Sequence, residues 1–159
     1  MPRQNGYAAP QIALHWIVAA LIFAAFFTHD DMGKALRARL ETGDTSTPIH
    51  VWLGVAALVF VVVRVVARRI YGAPPQPAGT HAHVEKAAAI GHGLLYVLMI
   101  AAPVLGGLAW YAGLREVGDI HEIVGKALFI LALAHGAVAI AHAVLKKDGV
   151  LTRMMKPAD

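Results

Sequence analysis

Four long stretches of the chain contain no charged side chain and consist mainly of apolar residues. They cover residues 4–29, 45–63, 87–114 and 127–145, and each is between 19 and 28 residues long. A helix rises about 1.5 Å per residue, so about 20 residues cross the hydrocarbon core of a bilayer. The pattern therefore predicts four transmembrane helices.

The apolar stretches also lack the polar face that a soluble helix bundle requires. Residues 19–27, 52–63 and 127–134 are apolar all round the helix, which is typical of helices that face lipid. Hydrophobic residues make up 58% of the chain and charged residues 15%, against about half and about a quarter in soluble domains. The predicted fold class is an all-α membrane protein, a four-transmembrane-helix bundle forming one domain over residues 1–159.

Lysine and arginine are concentrated on one side of this bundle. The two termini and the link between the second and third segments carry nine cations against three anions, whereas the other two links carry five cations against seven anions. The nine cations are Arg3, Arg64, Arg68, Arg69, Lys86, Lys146, Lys147, Arg153 and Lys156. The positive-inside rule then places both termini in the cytoplasm, with the chain embedded in a lipid bilayer. A nucleic-acid partner, which would need a basic patch on a soluble face, is not expected.

The chain has nine histidines and no cysteine. The missing thiols exclude disulfides, thiolate zinc sites, iron-sulfur clusters and covalent haem attachment. Three histidines of the last segment, His121, His135 and His142, lie within about 60° of one helix face. The 14 residues from His121 to His135 span roughly 21 Å, which places these two near opposite membrane surfaces.

Histidines on other segments lie at matching depths. His50 begins the second segment on the outer side, level with His121, and His15 lies on the inner side, level with His135. Two imidazoles from facing helices are the axial ligands that a six-coordinate b-type haem needs. The spacing predicts two such sites, although a single histidine in a membrane helix is as often a hydrogen-bonded core group.

Two glycines and one arginine accompany these pairs. Gly54 and Gly125 each follow a histidine by four residues, where the face of a porphyrin approaches the backbone, although small residues also serve ordinary helix packing. Arg64 lies on nearly the same face as His50 at the inner end, where it would pair with a haem propionate. His29, His81 and His83 fall in the links and are expected to be solvated.

The links carry local signals of their own. Residues 34–40 predict a short surface helix, and residues 73–77 predict a stiff, proline-rich linker. Thr47 is expected to cap the second membrane helix, with Pro48 at its first position. Asp119 is expected to cap the fourth.

Taken together, these residues resemble the bacterial cytochrome b561 family of four-helix di-haem membrane proteins, and in particular its stand-alone, superoxide oxidase type. The resemblance covers nearly the whole chain. It rests on Tyr7-x3-Gln11-Ile12-Ala13-Leu14-His15-Trp16, Ile49-His50-Val51, Val62-Val63-Arg64-x3-Arg68, Gly91-His92, His121-Glu122, His135-x6-His142 and Lys147-Asp148-x2-Leu151-x-Arg153-Met154-Met155.

The resemblance implies two non-covalent haem b groups, an inner one on His15 and His135 and an outer one on His50 and His121. It implies electron transfer to ubiquinone, with superoxide as donor, and it makes His92 and His142 the candidates for a quinone pocket. The sequence leaves His92 open as an alternative to His15 at the inner haem. Two features depart from the family pattern: residues 113–118 form a short link, and the outer links are net negative.

Two other functions are compatible with the same residues. One is a haem b membrane-anchor subunit that carries electrons between a dehydrogenase or hydrogenase and quinone, with its protein partner unknown. The other is a histidine-based metal or proton transporter without haem, which would be colourless.

Overall fold

The computed structural model describes residues 6–75, 77 and 79–157. The start of the first predicted segment at Gln4, the cation Arg3, Gln76 of the linker and the anion Asp159 lie outside these residues. The described chain is all-helical and contains no strand. The helices are α1 (Ala9–Phe27), α2 (Met32–Thr42), α3 (Ile49–Tyr71), α4 (Ala82–Tyr111) and α5 (Arg115–Ala141), and α5 continues into a π-helical turn (His142–Lys146) and a 3-10 turn (Thr152–Met154).

Four of the helices are long and apolar enough to cross a membrane, as predicted: α1, α3, α4 and α5 with its π-helical extension. α1 packs against α3, α3 against α4, α4 against α5, and α5 against α1. A small core lies between them, formed by Val18, Val61, Leu95, Met99, Ala102 and Leu128. Large apolar side chains such as Ile70, Ile123 and Ile130 are exposed on the outside of the bundle, the arrangement expected of helices solvated by lipid.

The two ends of the bundle differ. The end that carries α2, here called the α2 end, is closed by α2, which contacts the start of α5 through an ion pair between Glu41 and Arg115 (2.9 Å). α2 stops at Gly43, whose φ of 71° is the left-handed conformation that favours glycine after a helix. The predicted surface helix at residues 34–40 is therefore confirmed and is two residues longer at each end.

The opposite end, here called the tail end, is tied together by side chains that bond to backbone carbonyls. The buried Gln11 amide donates to the carbonyl of Gly72 (2.8 Å), which joins the start of α1 to the end of α3. The C-terminal segment crosses this end: the Trp16 indole donates to the Met154 carbonyl (2.8 Å), and Arg153 donates to the Pro75 carbonyl (2.6 Å).

Two predicted helix starts are wrong. α5 begins at Arg115, so Asp119 lies inside the helix and does not cap it. The reason is Gly113, whose φ of 70° turns the chain within three residues and lets α5 start early. The cap of α3 is Pro48 and not Thr47, because Pro48 is extended (ψ 151°) and its carbonyl accepts from the amide of Val51 (3.0 Å).

Candidate functional site

The α2 end brings His50 and His121 together. His50 is the second residue of α3, and His121 lies in the second turn of α5. Their ring centroids are 5.9 Å apart, and the ring planes are inclined at 73°. The two helices that carry them meet this end from different sides of the bundle, so one ring faces the other across a gap.

Each of the two rings is fixed by a backbone carbonyl of another helix. Nδ1 of His50 donates to the carbonyl of Ala25, and Nδ1 of His121 donates to the carbonyl of Ala102, both over 2.8 Å. Ala25 is in the last turn of α1, and its carbonyl also accepts from the amide of Thr28 (3.2 Å), so His50 is tied to the point where α1 ends. Because a carbonyl can only accept, Nδ1 carries the proton in each ring and Nε2 keeps its lone pair for a metal.

A cavity of about 610 Å³ opens beside these rings, and both rings line it. Its volume is within the range of small-molecule and cofactor sites, about 300–1,000 Å³. Gly54 and Gly125 also line it, and a Cβ built on either glycine would meet no atom within 4 Å. The two glycines that the sequence places one turn from the histidines therefore border open space, as a flat prosthetic group in contact with the backbone requires.

Charged side chains of both signs surround this cavity. Arg37, Arg115 and Lys126 line it together with Asp30, Asp119 and Glu122. Lys126 is paired with Glu122 on the same helix, and Arg115 is paired with Glu41. The mouth is thus mixed in charge, with Arg37 of α2 as an exposed cation at its edge.

At the tail end the structure gathers three histidines. The ring centroid of His135 lies 6.3 Å from that of His15 and 5.2 Å from that of His92. All three are partly buried. Arg64 of α3 is close enough to act electrostatically on all of them, and its Nη1 donates to the carbonyl of Gln11 (3.3 Å).

The spacing of the ring pairs can be compared with that of two imidazoles on one iron. An imidazole nitrogen lies about 2 Å from a bound metal and the ring centroid about 1 Å further, so two rings on opposite sides of one iron have centroids about 6 Å apart. The His50–His121 separation (5.9 Å) and the His15–His135 separation (6.3 Å) match this value. The residues present therefore fit a b-type haem at each end of the bundle.

His142 lies apart from these pairs, in the π-helical turn that follows α5. Its Nδ1 is 2.6 Å from Oδ2 of Asp148. Burial raises the pKa of the Asp148 carboxyl, but hydrogen bonds from the His142 ring and from the Val150 amide outweigh it and hold the pKa below its usual value. The carboxylate thus fixes the orientation of the His142 ring.

The remaining histidines divide into two groups. His81 and His83 are exposed, as predicted. His29 is not simply solvated, because it is half-buried, lines the cavity at the α2 end and has its Nδ1 against the carbonyl of Phe26.

Several residues at the sites were missed by reasoning from sequence. They are the carbonyls of Ala25 and Ala102, the carboxylate of Asp148, and Gly106, against which His121 packs. The adjacent pair Gly106 and Gly107 in an apolar helix was a signal for close approach at this point. No comparable signal marks the carbonyls, since every residue carries one.

Comparison with known proteins identifies the family of the chain. Residues 6–157 match the prokaryotic cytochrome b561 family. The chain is 36% identical to cytochrome b562 of Cereibacter sphaeroides over 99% of both proteins. It is 27% identical to a probable superoxide oxidase CybB of Yersinia pestis, covering 94% of this chain and 95% of that protein. It is also 27% identical to cytochrome b561 homolog 1 of Escherichia coli, covering 95% and 97%.

One assignment follows from three observations: four helices able to cross a membrane, two pairs of neighbouring histidines, and a family match over almost the entire length. The chain belongs to the prokaryotic cytochrome b561 family, multi-pass bacterial membrane proteins that bind haem b and transfer electrons.

Proposed function

We propose that this protein binds two haem b groups and passes electrons from superoxide to ubiquinone. His50 and His121 would hold the haem at the α2 end, and His15 and His135 the haem at the tail end. The observation that carries the proposal is the presence of two imidazole pairs at opposite ends of one bundle, each with the centroid spacing that one iron requires.

Haem b, when bound, supplies reversible one-electron chemistry. The chain contributes fixed ligands: Nδ1 of His50 and of His121 is held by a backbone carbonyl, so each ring presents Nε2 without rearrangement. Gly54 and Gly125 leave room for the flat face, and Arg64 supplies a cation for a carboxylate of the haem at the tail end.

The overall reaction balances with two donors for each acceptor. Two superoxide ions give up one electron each and leave as two molecules of dioxygen, while ubiquinone takes up two electrons and two protons and becomes ubiquinol. The net cationic tail end would face the cytoplasmic side of the inner membrane, so the two protons would come from the cytoplasm. His92 and His142 are the proposed proton donors to quinone, with Asp148 holding His142 in position.

Two observations support superoxide as the donor. A relative 27% identical to this chain over almost its full length is named a probable superoxide oxidase. In addition, Arg37 stands at the edge of the cavity at the α2 end, where a cation attracts a small anion, although Asp30, Asp119 and Glu122 line the same cavity.

The histidine-based metal transporter is less well supported. Among the residues that the structure describes, no group of three or more His, Asp or Glu side chains is placed to hold a metal ion directly. The imidazoles occur in pairs, and two imidazoles complete the coordination of haem iron, because the porphyrin nitrogens supply the other four ligands.

The test is stopped-flow mixing of superoxide with the purified, oxidised protein in the presence of ubiquinone. We expect reduction of the haem absorption bands and formation of ubiquinol beyond that seen in the His121→Ala variant. If ubiquinol does not exceed the control while the haems are reduced by a chemical donor, superoxide is not the substrate. Co-purification with a large soluble subunit would then favour the membrane-anchor function.

A further inference from the structure

Trp110 lies at the end of α4, beside the site at the α2 end, and its indole nitrogen is buried without a partner. The residue is 3% exposed, and among the described residues no hydrogen-bond acceptor reaches its Nε1. An indole N–H can only donate, and buried donors in native proteins nearly always have an acceptor. The missing acceptor is therefore expected to come from a ligand.

The position of Trp110 indicates which ligand. Trp110 lines the cavity that also holds His50 and His121. It lies one helical turn beyond Gly106, the residue on which the His121 ring packs, in the direction of the membrane surface. A group held between the two histidines would therefore occupy the same cavity that the Trp110 side chain lines.

The charges around Trp110 favour an anionic acceptor. Arg39 of α2 lies over the face of the indole, with its Cζ 5.0 Å from the ring centroid, and it does not bond to the buried Nε1 at the ring edge. Arg37 and Arg115 line the same cavity. Haem b carries two carboxylates, and a bond from an N–H to a carboxylate is stronger than one to a neutral acceptor.

We propose that the indole N–H of Trp110 donates a hydrogen bond to a propionate carboxylate of the haem held between His50 and His121. This inference rests on the proposed haem at that pair. The bond withdraws negative charge from the carboxylate, and a less negative carboxylate destabilises the oxidised iron relative to the reduced one. Trp110 thus raises the reduction potential of the haem at the α2 end.

The experiment uses the full-length protein in detergent with haem labelled with ¹³C at its carboxylates. Redox-difference infrared spectra and potentiometric titrations are compared for the wild type, Trp110→Phe and Trp52→Phe. Trp52 is the control because it lies in the first turn of α3, at the same end of the bundle as Trp110, but is 59% exposed on the outside. The phenylalanine keeps an aromatic side chain at each position and removes only the donor and one ring.

We expect Trp110→Phe to retain two haems, to shift a carboxylate band that carries the label, and to lower the potential of one haem, while Trp52→Phe changes neither. Unchanged label-sensitive bands and potentials in Trp110→Phe, with two haems bound, would overturn the proposal. A band shift without isotope sensitivity would also overturn it, because the affected carboxylate would then not belong to the haem.

A second measurement does not depend on how well Trp110→Phe folds. In the double variant Trp16→Phe/Trp52→Phe, Trp110 is the remaining tryptophan. Ultraviolet resonance Raman spectra of this variant, with and without the additional change His121→Ala, are compared in the indole band that is sensitive to hydrogen bonding. We expect a bonded indole in the first and a free one in the second, and an indole in the same state in both would contradict the inference. A preparation without haem in the wild type would instead defeat the proposed function itself.

Discussion

The ring of His121 packs directly on Gly106 of the neighbouring helix. A Cβ at position 106 would lie 2.9 Å from Cε1 of that ring, closer than real Cβ atoms approach, and 3.1 Å from its Nδ1, which is also a tight contact. The ring has little freedom to retreat, because its Nδ1 donates to the carbonyl of Ala102 one turn earlier on the same helix. His121 can therefore hold this orientation only with glycine at position 106.

Gly106→Ala is therefore expected to displace His121 and release the haem at the α2 end. Haem content, measured by the pyridine haemochrome assay, should fall from about two to about one per chain. Gly93→Ala is the matched control on the same helix, because a Cβ there would meet no atom within 4 Å and the residue is exposed. Retention of two haems in Gly106→Ala would show that His121 is not a ligand in this orientation.

Gly54 tests whether the cavity is filled by a flat group. A Cβ at position 54 would meet nothing within 4 Å and would point into open space, so Gly54→Leu should fold with its side chain in the cavity that Gly54 lines. We expect loss of one haem per chain, and Val59→Leu on the same helix, which is exposed and does not line the cavity, should keep both. Full haem content in Gly54→Leu, measured in the same assay, would mean that no porphyrin lies against this glycine.

The tail-end histidines give a prediction that separates His15 from His92. His135 lies near both, but its separation from His15 (6.3 Å) is closer to the spacing of two axial ligands than its separation from His92 (5.2 Å). His15→Ala and His135→Ala should each lose one haem, whereas His92→Ala should keep both and reduce ubiquinone more slowly. The opposite result, loss of haem in His92→Ala with retention in His15→Ala, would exchange the two roles.

Asp148→Asn is expected to destabilise the protein in a pH-dependent way. The pKa of Asp148 is lowered in the folded state, so its stabilising effect is present above the pKa of an unfolded aspartate, about 3.9, and is lost as the pH falls through the lower folded value. The loss at pH 7 should be at most about 1 kcal/mol, as for other accessible ion pairs.

Thermal unfolding in detergent between pH 3 and pH 7 measures this effect. The curves of Asp148→Asn and wild type should converge at the acid end, and Lys156→Gln, which removes an exposed charge of the same tail, should behave as wild type at every pH. A difference that grows as the pH falls would contradict the assigned direction of the pKa.

The membrane helices could be predicted because hydropathy alone dictates them. All four are confirmed, and two of the helices are longer than the charge-free stretches that predict them: α3 continues through Arg64 and Arg68 to Tyr71, and α4 begins at Ala82, ahead of Glu85 and Lys86. Long cationic side chains can reach the membrane surface from within the last turns, so absence of charge marks the hydrocarbon core and not the helix end.

What the sequence determined by itself is the number of spans and the depth of each histidine, since both follow from counting residues along a helix of fixed rise. Only the tertiary structure decided how His50 and His121 are oriented, that Gly106 makes room for one of them, that Asp148 holds His142, and that Trp110 is left without an acceptor. Apart from the local bond between His142 and Asp148, these features involve different helices, and they depend on the rotation and separation of packed helices. Periodicity within one segment fixes neither quantity, because the same apolar face can pack at several angles.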